Sequence, residues 1–192
     1  MKPVFYILIF LCCQSVFGQC MQQTIIPIRT YTDVPPDACY YMKDTQNELQ
    51  SYVGTWKATW EDKTIWITFK KILNKYDDHF KYNKDMLIAK FKVTNANGQV
   101  LFDNTSIQDI NAKINGAGYI KNQSKYLLTY YDRDLCLISG HINIDFTDAT
   151  KTQLQWKYIP NKTTIFPDCP FYNSPSSQYP KPLPKNAVLI KQ

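Results

Sequence analysis
A chain of 192 residues with 22 Lys and Arg against 16 Asp and Glu carries a formal charge of +6. That length suits one domain. The lysines are scattered among carboxylates and threonines, and only two arginines occur, Arg29 and Arg133. Nucleic-acid binders gather their cations on one face or in a run, so this pattern excludes that class.

Residues 1–18 have the pattern of a secretory signal peptide: Lys2, an apolar run from Val4 to Cys13, then Val16 and Gly18 at the −3 and −1 positions of a cut before Gln19. Loss of Lys2 with the leader takes the charge to +5. The competing reading is a lipoprotein acylated at Cys20, which Gln19 fits poorly because that position is usually small. The apolar run is too short to span a membrane, and no later stretch is long and apolar enough. The expected destination is the periplasm or the medium.

Beyond the leader the cysteines are Cys20, Cys39, Cys136 and Cys169. An even number in an exported chain points to disulfides, and their wide spacing argues against zinc. Joining the two irregular ends favours Cys39 with Cys169, which leaves Cys20 for Cys136. Cys136 also falls on the apolar phase of its strand, so a buried free thiol competes with the second bridge.

Residues 19–48 form an irregular lead with Pro27, Pro35 and Pro36. Asp44 to Tyr52 has room for one helical turn, with Leu49 and Tyr52 or Val53 packed inward. Residues 49–159 are expected to form an antiparallel β barrel. In an extended strand, alternate side chains share a face. Trp56, Ala58 and Trp60 then lie opposite Thr55, Lys57 and Thr59. After the polar break Glu61-Asp62-Lys63, the residues Ile65, Ile67 and Phe69 continue the apolar face, and Trp66 interrupts the polar one. This is an antiparallel hairpin wet on one side. Gly54-x-Trp56 resembles the start of the first barrel strand in the calycins (lipocalins, fatty-acid-binding proteins and avidins). The resemblance implies a small barrel whose base is closed by Trp56; a late arginine over that ring is not evident.

Leu73 to Asp85 is polar and suggests a loop or a widened turn. Leu87, Ala89, Phe91 and Val93 alternate with Lys90 and Lys92, and Asn95 to Gly98 makes a turn before a short strand at Gln99 to Phe102. Ser106 to Ile114 is weakly patterned, a strand or an edge, and Asn115-Gly116-Ala117-Gly118 looks like a break. Tyr126 to Tyr131 carries rings on both phases, with Tyr126 and Tyr130, like Trp66, on the nominally wet one. Asp132-Arg133-Asp134 is a solvated turn. Ile138, Gly140, Ile142, Ile144 and Phe146 alternate cleanly, as do Leu154, Trp156 and Tyr158. Seven or eight strands at this spacing describe a closed or nearly closed meander. Residues 160–192 form a Pro-rich tail lying across the barrel. Seven prolines between 160 and 184 exclude a ladder strand there, while Ala187 to Ile190 has room for a last strand.

The layout also resembles an uncharacterised family of short exported proteins from Bacteroidota, a domain of unknown function. Leu49, Tyr52, Gly54, Thr55, Trp56 and Val188-Leu189-Ile190-Lys191 carry that match. The resemblance implies fold and location, and is silent on chemistry.

No catalytic signature emerges. His141 shares a strand face with Asn143 and Asp145, and Asp77-Asp78-His79 sits in a polar stretch. Neither supplies three convergent metal ligands, and there is no G-x-S-x-G elbow or phosphate loop. No cofactor or metal is expected, and a non-enzymatic role is. A small barrel has room for one apolar ligand, held by Trp56, Trp60, Phe91, Ile142 and Trp156. The alternative is a filled barrel acting on a protein partner through an exposed aromatic or loop surface.

Overall fold
A computed structural model describes residues 22–36, 39–162 and 165–192. The leader and Cys20 lie outside the described residues. Among the described residues eleven strands form in chain order: β1 (Thr24–Pro27), β2 (Tyr40–Lys43), β3 (Gly54–Trp60), β4 (Lys63–Asp77), β5 (Tyr82–Asn95), β6 (Val100–Asp103), β7 (Ile114–Tyr119), β8 (Tyr126–Asp132), β9 (Ile138–Phe146), β10 (Gln153–Pro160) and β11 (Asn186–Lys191). Only short 3-10 turns accompany them among the described residues, the longest at Glu48–Tyr52.

Eight strands close an antiparallel barrel in the order β5-β4-β3-β11-β10-β9-β8-β7, with β7 returning to β5. Closure on the β5 side rests on Ile88 opposite Asn115 and Ala89 opposite Ile114. On the other side β11 pairs with β3 at Ile190–Lys57 and Lys191–Trp56, and the Gln192 amide donates to the Thr55 carbonyl at 3.0 Å just beyond. The stretch read as tail therefore supplies a stave of the wall. One edge of β5 serves three partners in turn: β2 at Asn83 and Lys84, β7 at Ile88 and Ala89, and β6 from Lys92.

The alternation of β3, β4, β5, β9 and β10 sets the inward face as the sequence indicates. Several stretches differ. The lead, expected to be irregular, carries β1 and β2, which pair in parallel because the backbone from Thr24 to Pro27 finds a partner at Tyr40–Lys43. Leu73 to Asp85 is a long hairpin rather than a loop, because β4 and β5 keep pairing out to Asp77–Tyr82 past a bulge between Ile72 and Lys75. Ser106 to Asn111 forms turns and a short 3-10 segment instead of a strand, while the Gly-rich run at 115–118 lies inside β7. Gly116 belongs there because a Cβ would sit 2.3 Å from the Tyr126 hydroxyl, and a bulge follows at Gly116/Gly118. Finally, Tyr126 and Tyr130 point inward, with Leu128 between them, each at most 1% exposed.

Gly140 is fixed by its neighbours on β10. A Cβ there would lie 2.4 Å from the Ile159 carbonyl and 2.5 Å from the Tyr158 ring. The backbone has nowhere to go without breaking the Pro160–Gly140 pairing. Gly140→Ala is expected to cost about 1–3 kcal/mol by overpacking, read as a lower urea midpoint with an unchanged slope.

Both barrel ends are plugged. The lead lays Ile28, Leu49 and Tyr52 over the end where β3 starts, and these residues belong to the main core. The tail returns Leu183 to the opposite end, where the Trp156 indole donates to the Pro184 carbonyl at 3.0 Å.

Candidate functional site
The side chains expected to hold a ligand belong to the barrel interior and its rim. Trp56, Phe91, Ile142 and Trp156 all point inward, each at most 1% exposed, in one continuous cluster. Trp60 is half-buried and packs against that cluster from the rim. Ile65, Ile67, Leu87, Leu128, Ile144 and Leu154 have no accessible area either, so no water-sized void touches them. Rings fill what remains: Tyr52 stacks on Phe146 at 4.4 Å, and Tyr119 meets Tyr126 edge-on at 4.9 Å. Four of the five are brought together as core, and Trp60 borders it.

Around the end closed by the lead, polar groups are paired off. Arg29 donates from Nε and Nη2 to Glu48 at 2.7–3.0 Å and lies 3.7 Å over the Tyr119 ring. The Trp56 indole donates to the Tyr52 carbonyl at 2.8 Å. The Lys191 ammonium sits 5.4 Å over the Trp56 ring and donates to the Ser51 carbonyl at 3.1 Å. Two buried carboxylates organise the lead. Asp44 accepts from the Glu48 and Leu49 amides and from Lys71 at 2.7–2.9 Å. Asp85 accepts from the Tyr41 hydroxyl at 2.5 Å and from the Asp44 and Asn74 amides at 3.0 Å. With every acceptor engaged, this cluster is a structural joint. Asp85→Asn turns an NH2 group towards one of those donors and is expected to cost about 1–3 kcal/mol by chemical denaturation.

Desolvation pushes the phenols of Tyr41 and Tyr158 up to about 12 and raises Tyr52, Tyr119, Tyr126 and Tyr130 as well. An unfolded tyrosine ionises near pH 10. Above that pH the unfolded chain releases protons that the folded one retains, so stability should fall as pH rises from about 10 through the folded values. An alkaline titration should show phenolate absorbance in two phases, the exposed tyrosines first and the buried group together with loss of fold. A single phase near pH 10 with the fold intact would contradict the burial.

The histidines stand apart. His141 is exposed on β9; Asp145, on the same strand face, takes the Ser124 hydroxyl at 2.8 Å. At the β4–β5 tip, Asp77 accepts the His79 and Phe80 amides and pairs with Lys84 at 2.8 Å. Burial alone would raise the Asp77 pKa; Lys84 and those amides outweigh it and hold it low. Among the described residues no group of three or more His, Cys, Asp or Glu is placed to hold a metal.

The outer surface is different beside the β8–β9 turn. Cys136 is bonded to Cys169, with Cα atoms 5.6 Å apart. This corrects the expected pairing of Cys39 with Cys169 and of Cys20 with Cys136. The tail folds back over the β8–β9 turn and not towards the lead, and Cys136 lies in that turn, before β9 begins. Cys39 is itself in a disulfide. The turn is tight: Cys136 and Leu137 both adopt positive φ, 58° and 63°, and the Ile138 amide bonds the Leu135 carbonyl. Neither residue is a glycine or asparagine, the types that usually fill such positions.

Two cavities open on either side of this turn. One, about 560 Å³, lies against the disulfide, with Leu137, Phe166 and Asp168 in its wall. The other, about 520 Å³, has Ile110, Lys113 and Tyr131 in its wall. Arg133 and Asp134 belong to both. The flanking side chains are large, apolar and solvent-facing: Leu137 is 41% exposed, Phe166 51%, Tyr131 46% and Ile110 67%. Asp134 is committed to Lys113, which also pairs with buried Asp132 at 2.7 Å. Burial works against the Lys113 ammonium, but these two carboxylates raise its pKa. Asp132 is thus an anchor, not merely a solvated turn residue. Arg133 has no side-chain hydrogen bond or ion pair among the described residues, whereas Arg29 is fully engaged. Sequence reasoning passed over Arg133; the one available signal was an arginine in a turn between two aspartates.

No curated protein and no solved structure matches the chain. The model of one family covers residues 1–192 from end to end, and the protein therefore belongs to that family of unknown function, DUF6705.

Proposed function
We propose that this is an exported, non-enzymatic binding protein that acts through the outer surface of a filled barrel. The observation that carries the reading is the packed interior: the side chains suited to hold an apolar ligand are closed against one another, with Trp56 and Trp156 at 0% exposure. The exposed apolar residues around the β8–β9 turn supply a surface where a partner gains contact area. The Cys136–Cys169 disulfide supports an oxidising compartment, as does the apolar leader. Among the described residues no helix is long and apolar enough to cross a membrane. The calycin-like reading of the architecture draws support from the start of β3. Gly54 precedes the buried Trp56, and Lys191 sits over that ring where the sequence lacked an arginine.

Native mass spectrometry of the full-length protein, taken before and after denaturation, tests this reading. The same bare mass in both states is expected. A mass excess released only on unfolding would restore the interior-ligand alternative.

A further inference from the structure
We infer that the outer face of β3, β4 and β5 binds an acidic polysaccharide: a sugar ring stacks on Trp66, and carboxylates on the sugars to either side reach Lys57 and Lys92. This rests on the surface-acting reading above and names a ligand class on a wall that the reading does not use.

The argument begins with Trp66, the residue that interrupts the polar phase of the first hairpin. Its ladder partners are Lys57 on β3 and Lys92 on β5. All three side chains point outward, because the residues flanking each of them, such as Ile65 and Ile67 around Trp66, are buried in the core. Unlike Trp56, Trp60 and Trp156, Trp66 takes no part in either apolar cluster. Its indole N–H has no hydrogen-bond partner among the described residues, whereas those of Trp56 and Trp156 are both engaged. The ring is therefore placed on the wall for something other than packing. The Lys57 ammonium lies 5.5 Å from its centroid, so an acid held by that lysine sits beside whatever stacks on the indole.

Charge selects an anion here. Residues 54–60, 63–70 and 88–94 contain no carboxylate, and their outward positions hold Lys57, Lys70, Lys90 and Lys92. Two carboxylates approach from neighbouring segments. Asp109 pairs with both Lys70 and Lys90, and Asp103 stands 3.9 Å from Lys92. Four lysines against two carboxylates leave a surplus of two positive charges, and Lys57 has no carboxylate partner among the described residues. The next acids, Glu61 and Asp62, sit in the β3–β4 turn and engage Lys63.

Spacing and shape select the sugar. Lys57 and Lys92 are two strands apart, about 10 Å in the hydrogen-bonding direction, with Trp66 midway. An extended polysaccharide with one acid per disaccharide brings successive acids to the two lysines and leaves the neutral ring between them over the indole. The flat C–H face of a pyranose matches that ring. Next to this row, Thr68, Lys70, Lys90 and Thr105 line a cavity of about 230 Å³, which offers further polar partners. Backbone pairing on both sides of β4 holds the platform in place, which lowers the ordering cost of binding.

The test uses the full-length, oxidised, nitrogen-15-labelled protein and two sugars. One is a hyaluronan hexasaccharide, in which glucuronate alternates with N-acetylglucosamine; the other is neutral chitohexaose. The expected result is shifts at the Trp66 indole and the Lys57 and Lys92 amides, with the acidic sugar binding about tenfold more tightly. Lys57→Gln with Lys92→Gln should erase that preference, and Trp66→Ala should weaken binding of both sugars. Each variant should keep the wild-type spectrum elsewhere, because none of the three side chains belongs to the core. Equal binding of the two sugars, shifts away from this face, or no binding would overturn the inference. Hexaglutamate binding as tightly as the acidic sugar, with no dependence on Trp66, would overturn the sugar and leave a site for any polyanion. Sugar-induced shifts at the Trp56 and Trp156 indoles would instead overturn the filled-barrel reading.

Discussion

Trp56→Ala should lower the unfolding free energy by about 3–5 kcal/mol. The ring is fully buried where the 3-10 turn at Glu48–Tyr52 meets the wall, so its removal leaves a hole that the surrounding strands cannot close. Three attachments go with it. The Tyr52 carbonyl loses its indole donor, the Lys191 ammonium loses the ring beneath it, and Phe146 loses a neighbour 6.2 Å away. Trp56→Phe keeps most of the apolar area and drops the hydrogen bond, so it should cost clearly less. Urea unfolding of the three proteins separates these contributions. A loss below about 1 kcal/mol for Trp56→Ala would mean that this end of the barrel repacks freely, which no rigid plug would permit.

Replacing Cys136 and Cys169 together by serine should cost about 3–4 kcal/mol. The bridge joins residues 33 positions apart, and closing a loop of that length is worth this much in the unfolded chain's entropy. A second contribution has the opposite sign. Cys136 and Leu137 are held at positive φ, and release from the tail lets the turn relax. The net loss should therefore fall at or below the lower end of that range. Unfolding of the wild type with and without reductant gives an upper bound on this loss, because reductant also opens the disulfide of Cys39. An unchanged midpoint would show that the tail is held by Leu183 and Pro184 alone. Peptide mapping under non-reducing conditions should yield Cys136 linked to Cys169 and no fragment joining Cys39 to Cys169.

The wall was legible where one phase was uniformly apolar. Ile65, Ile67 and Phe69, or Leu154, Trp156 and Tyr158, leave no choice of inward face. On β8 the sequence is Tyr-Leu-Leu-Thr-Tyr-Tyr, apolar on both phases, and there the decision belongs to neighbours that only the fold supplies. Gly116 leaves space for Tyr126, and Phe91 meets Tyr130 edge-on. The hairpin between β4 and β5 was hidden for another reason. Past the barrel rim neither of its faces is buried in the core, so apolar alternation disappears while backbone pairing continues. The cavities beside the β8–β9 turn escaped because their parts come from the β6–β7 connection, that turn and the tail, which no local pattern joins. The disulfide depended on the path of the tail, and spacing carries no information about that.

The short contact between β11 and β3 bears on how the protein reaches its native state. Ile190 must find Lys57, and Lys191 must find Trp56, across more than 130 intervening residues, for two paired positions and one further bond from Gln192 to Thr55. Contacts so distant along the chain form late, because the entropy of closing the loop comes due before the contact rewards it. Until they form, the backbone edges of β3 and β10 stand open to any other extended chain. The β3 edge is bordered by Lys57, and Lys157 sits on β10; a cation at such an edge disfavours strand addition by a neighbour. The slowest and most aggregation-exposed moment in the life of this barrel is therefore the insertion of its closing stave. A refolding time course should show ordered β3–β4 and β8–β10 hairpins before Lys191 settles over Trp56.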